Sequence, residues 1–177
     1  MGLDLFVRRG YAATRISDIA DAAGMSAGLL FHYFESKQSL YEELVRSGLA
    51  RASAAVSVAD TSDPMAYFEG LAATLINQFR TNPSVARMFV LISRAQADAV
   101  LDDDLVRRAT RDNLRNTATL IEAGQRVGVI RRGDPLALSV AFWGAIEGIA
   151  HLVVADEATS WPEAEWIVDI LRVRDGV

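Results

Sequence analysis

The 177-residue chain contains no cysteine, which excludes a disulfide framework, a thiol nucleophile and a zinc ribbon. Histidine occurs only at His32 and His151, so a His-rich metal site is not expected and no metal or cofactor is assigned. Lys37 is the single lysine; the other 17 basic residues are arginines. Without cysteine, paired histidines or a glycine-rich phosphate loop, the chain lacks the positioned base, nucleophile or metal that an enzyme needs. No apolar run comes after Met1, so no signal peptide is expected and the chain is read as cytoplasmic. Strand-period alternation and low-complexity segments are missing too. The pattern is all-α.

What the chain does have is apolar content. Hydrophobic residues make up 51%, at the upper end for a soluble protein, and buried surface beyond one monomer's core would account for it. The length admits one small domain and one larger helical core. The formal charge of −5 is unevenly spread: residues 1–50 hold five basic groups against six carboxylates, the remainder 13 against 17. Such a chain meets nucleic acid only through a locally basic face, with modest and salt-sensitive affinity.

Residues 14–40, TRISDIADAAGMSAGLLFHYFESKQSL, read as two short helices joined by a Gly turn and succeeded by a third, the grammar of a DNA-binding helix-turn-helix. Ile16, Ile19, Ala20 and Ala23 recur at i, i+3, i+4 and i+7 and give one helix a stripe to bury. Gly24 ends that helix, since glycine takes a positive φ without a Cβ clash, and Met25 fills the corner. Ser26 is placed to cap the next helix, and Leu30 and Phe34 point back at the first. Ala27, Gly28, Leu29, Phe31, His32 and Tyr33 then face outward. Such an apolar surface calls for a partner. Ser36 is placed to cap a third helix that starts at Lys37 and carries Leu40, Tyr41, Leu44 and Val45. A cation in the first turn opposes the helix dipole, so Lys37 is either an ordinary solvated lysine or a group awaiting an anion such as a phosphate.

The recognition segment offers no Arg, Asn or Gln to base edges. Direct readout falls to Ala27, Gly28 and Leu29 against thymine methyls, to His32 donating to a purine acceptor, and to Arg15 and Ser17 from the preceding helix. Tyr33 and Lys37 are the expected phosphate anchors. Sequence preference should rest on thymine methyls and groove shape more than on bidentate hydrogen bonds.

In this order and spacing, LDLFVRRGY, SDIADAAGMS, GLLFHYF and ESK make Leu3 to about Val45 resemble the DNA-binding domain of the tetracycline-repressor (TetR) family. Over the remainder, the resemblance is carried only by the helical pattern and the segment GQRVGVIRRGDP. Phe31 stands where many members carry tyrosine and Ala27 where a basic residue is common, and the first helix begins about two turns short of the family's. The resemblance implies a homodimeric transcriptional regulator, usually a repressor, released from its operator by a small molecule. The helix-turn-helix domain would span 1–46 and a helical effector-binding and dimerisation domain 47–177. The alternative is a dimeric small-molecule-binding or interaction protein with an impaired DNA-binding half.

Ser36 to about Ala59 reads as one long linking helix, broken by ADTSDP (59–64), with Pro64 opening the next. Along Pro64–Arg80, Tyr67 or Phe68 lines one side with Leu71, Leu75 and Phe79. Asn82-Pro83 begins a helix toward Val100 that carries Met88, Phe89, Leu91 and Ile92. Aspartates 102–104 suit the start of a helix that ends near Gly128. Asp134-Pro135 is a cap with a first-turn proline behind it, opening a helix to about Ala155. That segment, PLALSVAFWGAIEGIAHLVVA, is long enough to span a membrane, but Glu147 and His151 lie within it and no second span or basic flank accompanies it. It is read instead as a helix buried on both sides.

Ala137, Ala141, Gly144 and Gly148 form a small-residue stripe on that helix, and Trp161–Arg174, with Trp166, Ile167, Ile170 and Leu171, is read as its partner helix. Two such helices from each of two chains make a four-helix bundle, the dimer interface that the resemblance implies, with Trp166 and Ile170 included; a monomer core is the alternative. Two-fold symmetry would hold the recognition helices about 34–36 Å apart over a palindromic operator. The resemblance also implies a pocket, for which Phe68, Phe79, Met88, Phe89, Ile92, Asn113, Thr117, Trp143, Glu147 and His151 are the candidate liners. Their character points to an apolar or amphipathic effector.

Overall fold

The structure, a computed structural model, describes residues 1–57, 62–97, 101, 103–156 and 158–173, with the side chains at 52–57, 96, 97 and 103 outside the description. Among these residues the extended regular elements are all helices: α1 (Gly2–Ala13), α2 (Ile16–Ala22), α3 (Ala27–Tyr33), α4 (Lys37–Ser57), α5 (Pro64–Thr81), α6 (Pro83–Ala97), α7 (Asp103–Arg126), α8 (Pro135–Ala155) and α9 (Ala164–Val168). The far ends expected for α4, at Ala59, and for α6, at Val100, lie outside the described residues, as does Asp102.

Local chemistry accounts for the helix starts. Asp63 accepts from the amides of Met65 and Ala66, both at 3.1 Å, ahead of Pro64, and Asp134 accepts from Leu136 at 2.9 Å ahead of Pro135. Each carboxylate satisfies free N–H groups while proline occupies a position that has no donor to lose. Ser36 and Ser39 exchange bonds at the start of α4: Ser39 N–H donates to Ser36 Oγ at 3.0 Å and Ser36 N–H to Ser39 Oγ at 3.1 Å.

Two apolar clusters hold the chain. One gathers Phe6, Val7, Ile19, Ala20, Leu30, Leu40, Tyr41 and Val45 with Val90, Leu91 and Ala95 of α6, and with Leu101 and Val106. The amino-terminal helices therefore complete their core with residues from far along the chain. The other cluster packs Tyr67, Phe68, Leu75, Ile76 and Phe79 of α5 around Phe142, Ile146 and Ala150 of α8, with Ile121, Ile130, Ile167, Val168 and Leu171. Both Tyr67 and Phe68 are buried, which resolves the choice left open by spacing.

The carboxy-terminal segment corrects an expectation. The spacing predicts a helix over Trp161–Arg174, whose last residue lies outside the described residues; instead α9 spans five residues, and Arg172 forms an antiparallel bridge with Ile130. Arg131 N–H donates to the Leu171 carbonyl at 2.9 Å, so the backbone leaves the helix to pair with the turn after α7. The periodic residues Ile167, Val168 and Leu171 are drawn into the monomer's own core, and Ile170 packs against it. A bundle of two long helices per chain is thus not formed by α8 and α9.

Within one chain, helix α8 buries one of its two sides. Ser139, Phe142, Ile146 and Ala150 face inward, whereas Leu136, Ala137, Val140, Ala141, Gly144, Gly148 and Leu152 are exposed. By length and composition it is the helix able to cross a membrane among the described residues, yet one whole face is packed against the protein.

Candidate nucleic-acid interface

The turn between α2 and α3 is set by its residues. Ala23 closes α2, Gly24 takes φ +66°, and Met25 N–H donates back to the Ala20 carbonyl at 3.0 Å while its side chain packs on the core. A side chain at Gly24 would be strained by that backbone conformation. Ser26 Oγ then accepts the Leu29 amide at 3.1 Å and sets the axis of α3.

Leu30, only 5% accessible, anchors α3 to the core. Gly28, Leu29, Phe31, His32 and Tyr33 are exposed, as are Arg15, Ser17 and Ser26. Ala27 departs from the outward set, because it is half-buried and packs against the amino-terminal cluster. The His32 and Tyr33 rings meet edge to face at 5.5 Å. The face is dominated by glycine, leucine and aromatic surface.

Charge around this face is sparse. Arg9 is paired with Asp18 at 3.1 Å and Arg8 with Asp4 at 3.2 Å. Asp18 also accepts from the Arg15 amide at 3.4 Å, placing its carboxylate at the positive end of α2. The Arg15 guanidinium has no ion pair among the described residues.

Lys37 has a role that sequence reasoning missed. Helix α1 is interrupted at Gly10, with φ +79° and ψ +167°, and its exposed carbonyls need donors. Lys37 Nζ donates to the carbonyls of Tyr11 at 2.8 Å and Thr14 at 2.9 Å, and lies 4.1 Å from the centre of the Tyr11 ring. Thr14 Oγ1 donates to Gly10 O at 2.8 Å, and Arg94 Nη1 of α6 donates to Val7 O at 2.6 Å. Burial, and secondarily Glu42, pushes the Tyr11 phenol up. The unfavourable start-of-helix position of Lys37 is thus offset at the end of another helix, where a cation is welcome. The glycine of RGY and the lone lysine were the available signals, but only folding brings the two together.

The candidate pocket residues do not form one group. Phe68 and Phe79 are fully buried core; Phe68 meets Phe142 at 5.1 Å and Phe79 meets Phe89 at 5.2 Å, both edge to face. Met88 and Ile92 belong to the other cluster, where they press on Gly48 of α4. Thr117 is buried and accepts from Trp143 Nε1 at 2.9 Å, joining α7 to α8, while Asn113 is half-buried on the same helix. Glu147 and His151 are both half-buried on α8; desolvation raises the Glu147 pKa, and His151 opposes that rise. Ala137, Ala141, Gly144 and Gly148 all lie on the exposed face of α8, Trp166 is 64% accessible, and Ile170 is turned into the monomer.

The family pattern described as bacterial regulatory proteins, tetR family, matches residues 2–44. The HTH-type transcriptional repressor KstR2 of Rhodococcus jostii is 51% identical over 45 residues, which cover 25% of this chain and 22% of that protein. The match therefore spans about a fifth of that curated relative's length. Across nearly the whole chain, the structure is similar to a tetR-family bacterial regulatory protein from Rhodococcus RHA1, with a TM-score of 0.75 at 19% identity, covering 98% of this chain and 94% of the other. It is also similar to AibR solved with isovaleryl coenzyme A and operator DNA, with a TM-score of 0.71 at 17% identity, covering 94% of this chain and 89% of the other. At such identities the likeness establishes a shared fold.

Proposed function

From the match of residues 2–44 to the bacterial tetR family pattern, we propose that this chain belongs to that family and is a DNA-binding transcriptional regulator, most simply a cytoplasmic repressor, that acts as a homodimer and responds to a small molecule. The observation that carries the reading is the face of α3. It is capped by Ser26, anchored by Leu30 and left bare from Gly28 to Tyr33, the arrangement a recognition helix needs to enter the major groove.

Homodimerisation is supported by the exposed face of α8. Small residues at 137, 141, 144 and 148 let a second helix approach closely, and Leu136, Val140 and Leu152 add apolar area that water leaves unsatisfied. Because α9 is short, the interface is carried by α8 with Trp166 at its margin. Two-fold symmetry then presents two α3 helices to a palindromic operator, about one helical turn apart.

Effector response is supported by the way α6 joins the two clusters, touching α1 and α4 on one side and α8 on the other. AibR, of similar fold, has been solved with both a coenzyme A thioester and DNA. An apolar or amphipathic effector held near Phe89, Trp143 and the Glu147–His151 pair would favour a spacing of recognition helices that misses the duplex. Its leverage equals its preference between the two states, typically ~1–3 kcal/mol, and DNA weakens effector binding by the same factor.

The test is an electrophoretic mobility shift with DNA flanking the protein's own gene, repeated at several salt concentrations. A discrete complex that weakens steeply with salt supports the reading. A stable dimer that binds no duplex even at low salt would favour instead a ligand-binding protein whose DNA-binding half is impaired, an outcome the pairing of Arg9 and the inward engagement of Lys37 make worth checking.

A further inference from the structure

Helix α3 carries its outward residues in a defined arrangement. At about 100° per residue, Gly28 and His32 stand one turn apart on the side opposite Leu30, and Leu29 and Phe31 lie on the two flanks, about 160° from each other. The accessibilities agree, with Leu30 at 5%, Leu29 at 45% and Phe31 at 48%. A Cβ at Gly28 would meet nothing closer than Ser26 Oγ at 3.9 Å, so the helix backbone is bare at the centre of the face and allows close approach of a partner. Among the side chains of α3, His32 is the polar one at that centre.

We propose that Leu29 and Phe31 read pyrimidine 5-methyl groups on either side of a purine met by His32, so that each operator half-site is recognised chiefly by its methyl pattern. The proposal rests on the DNA-binding reading above and names the duplex chemistry that face selects. In the major groove, the thymine methyl is the one apolar feature that marks a base pair, and it is matched by apolar side chains rather than by hydrogen-bond donors. Two half-exposed apolar side chains flanking one imidazole supply two such contacts and a single polar one. Arg15, which precedes α2, and Ser17 within it lie outside α3 and leave this division of labour unchanged. Removal of a methyl buried against an apolar side chain is worth about fourfold in affinity, so four methyls across a symmetric operator amount to well over tenfold.

The experiment uses the full chain. A duplex is first selected from a randomised library, and deoxyuridine then replaces thymidine one position at a time and throughout. The expected result is a loss of at least tenfold on complete replacement, concentrated at two positions per half-site that flank a purine, with the salt slope unchanged because phosphate contacts are untouched. Leu29→Ala and Phe31→Ala, at exposed positions, should each make uracil neutral at one of the two positions. Uracil tolerated everywhere by a duplex that the chain does select would overturn the proposal while leaving DNA binding intact. Equal uracil penalties in wild type and both variants would overturn it as well, by assigning the effect to duplex shape. Failure to select any duplex would overturn the DNA-binding reading itself.

Discussion

Arg94 on α6 donates from Nη1 to the carbonyl oxygen of Val7 on α1 at 2.6 Å, a bond across 87 positions of sequence. About two turns earlier on the same helix, Arg87 pairs with Asp4 at 3.2 Å. The two arginines fasten the first helix to a helix beyond the linker, and between them Val90 and Leu91 enter the amino-terminal core. Replacing Arg94 by methionine keeps the apolar stem and removes the donor. The expected outcome is a loss of about 1–2 kcal/mol, read as a lower urea midpoint with an unchanged slope.

Lys37→Met separates two roles for the lone lysine. As a cap on the interrupted end of α1, its loss lowers the unfolding midpoint by the equivalent of about 1–2 kcal/mol and leaves the salt dependence of DNA binding nearly unchanged. As a phosphate anchor in each half of a dimer, its loss would instead reduce the slope of log affinity against log salt by about 2. Parallel urea melts and salt titrations decide between these.

Gly48 marks the contact of α4 with α6. A Cβ there would stand 2.5 Å from Met88 Sδ and 3.2 Å from Ile92 Cδ1. Gly48→Ala is expected to destabilise by about 1–2 kcal/mol in spite of alanine's better helix propensity, because the methyl displaces the packed Met88 side chain. In a Met88→Ala background the penalty should shrink, and a double-mutant cycle in urea measures the difference.

Glu147 gives the stability a direction with pH. Desolvation raises its pKa in the folded chain, partly opposed by His151, so the folded state holds this proton more tightly than the unfolded chain does. Its contribution is fully present below the ordinary carboxylate pKa and is lost as pH rises through the folded value. Glu147→Gln should therefore melt higher than wild type at neutral pH, with the gap closing in acid; thermal melts from neutral pH down to about 4, the ordinary carboxylate range, check this.

Ala141 lies on the bare face of α8 beside Gly144 and Gly148. Ala141→Arg adds a charged side chain where a second copy would have to approach and disturbs nothing inside the monomer. Sedimentation velocity should show a folded monomer, and affinity for a palindromic duplex should fall by about 10²-fold or more as two linked contacts become separate ones.

The helix-turn-helix and most helix starts were legible because each depends on a few neighbouring residues. Gly24 alone supplies the turn, Ser26, Asp63 and Asp134 each cap the helix they precede, and spacing of three and four marks Ile19 and Leu30 as core. The same local logic named the exposed surface of α3, with Ala27 misplaced because it stands in the first turn, close enough to the core to be half-buried. Those features are fixed by propensity, capping and periodicity, which act within a turn or two of chain.

Residues remote in sequence decided the rest. Lys37 could be read as a group awaiting phosphate until folding set it under the end of α1, and the helical spacing after Trp161 gave only the five residues of α9 before pairing with Ile130 and Arg131 took the backbone at Leu171 and Arg172 out of the helix. The pocket candidates likewise divided between two clusters, since hydrophobic character marks a side chain for burial without naming its neighbours. Local sequence determined where most helices start and which face of α3 is bare; packing chose where the last helix stops and which helix holds which, because burial free energy is non-directional and its partners are selected only when the whole chain closes.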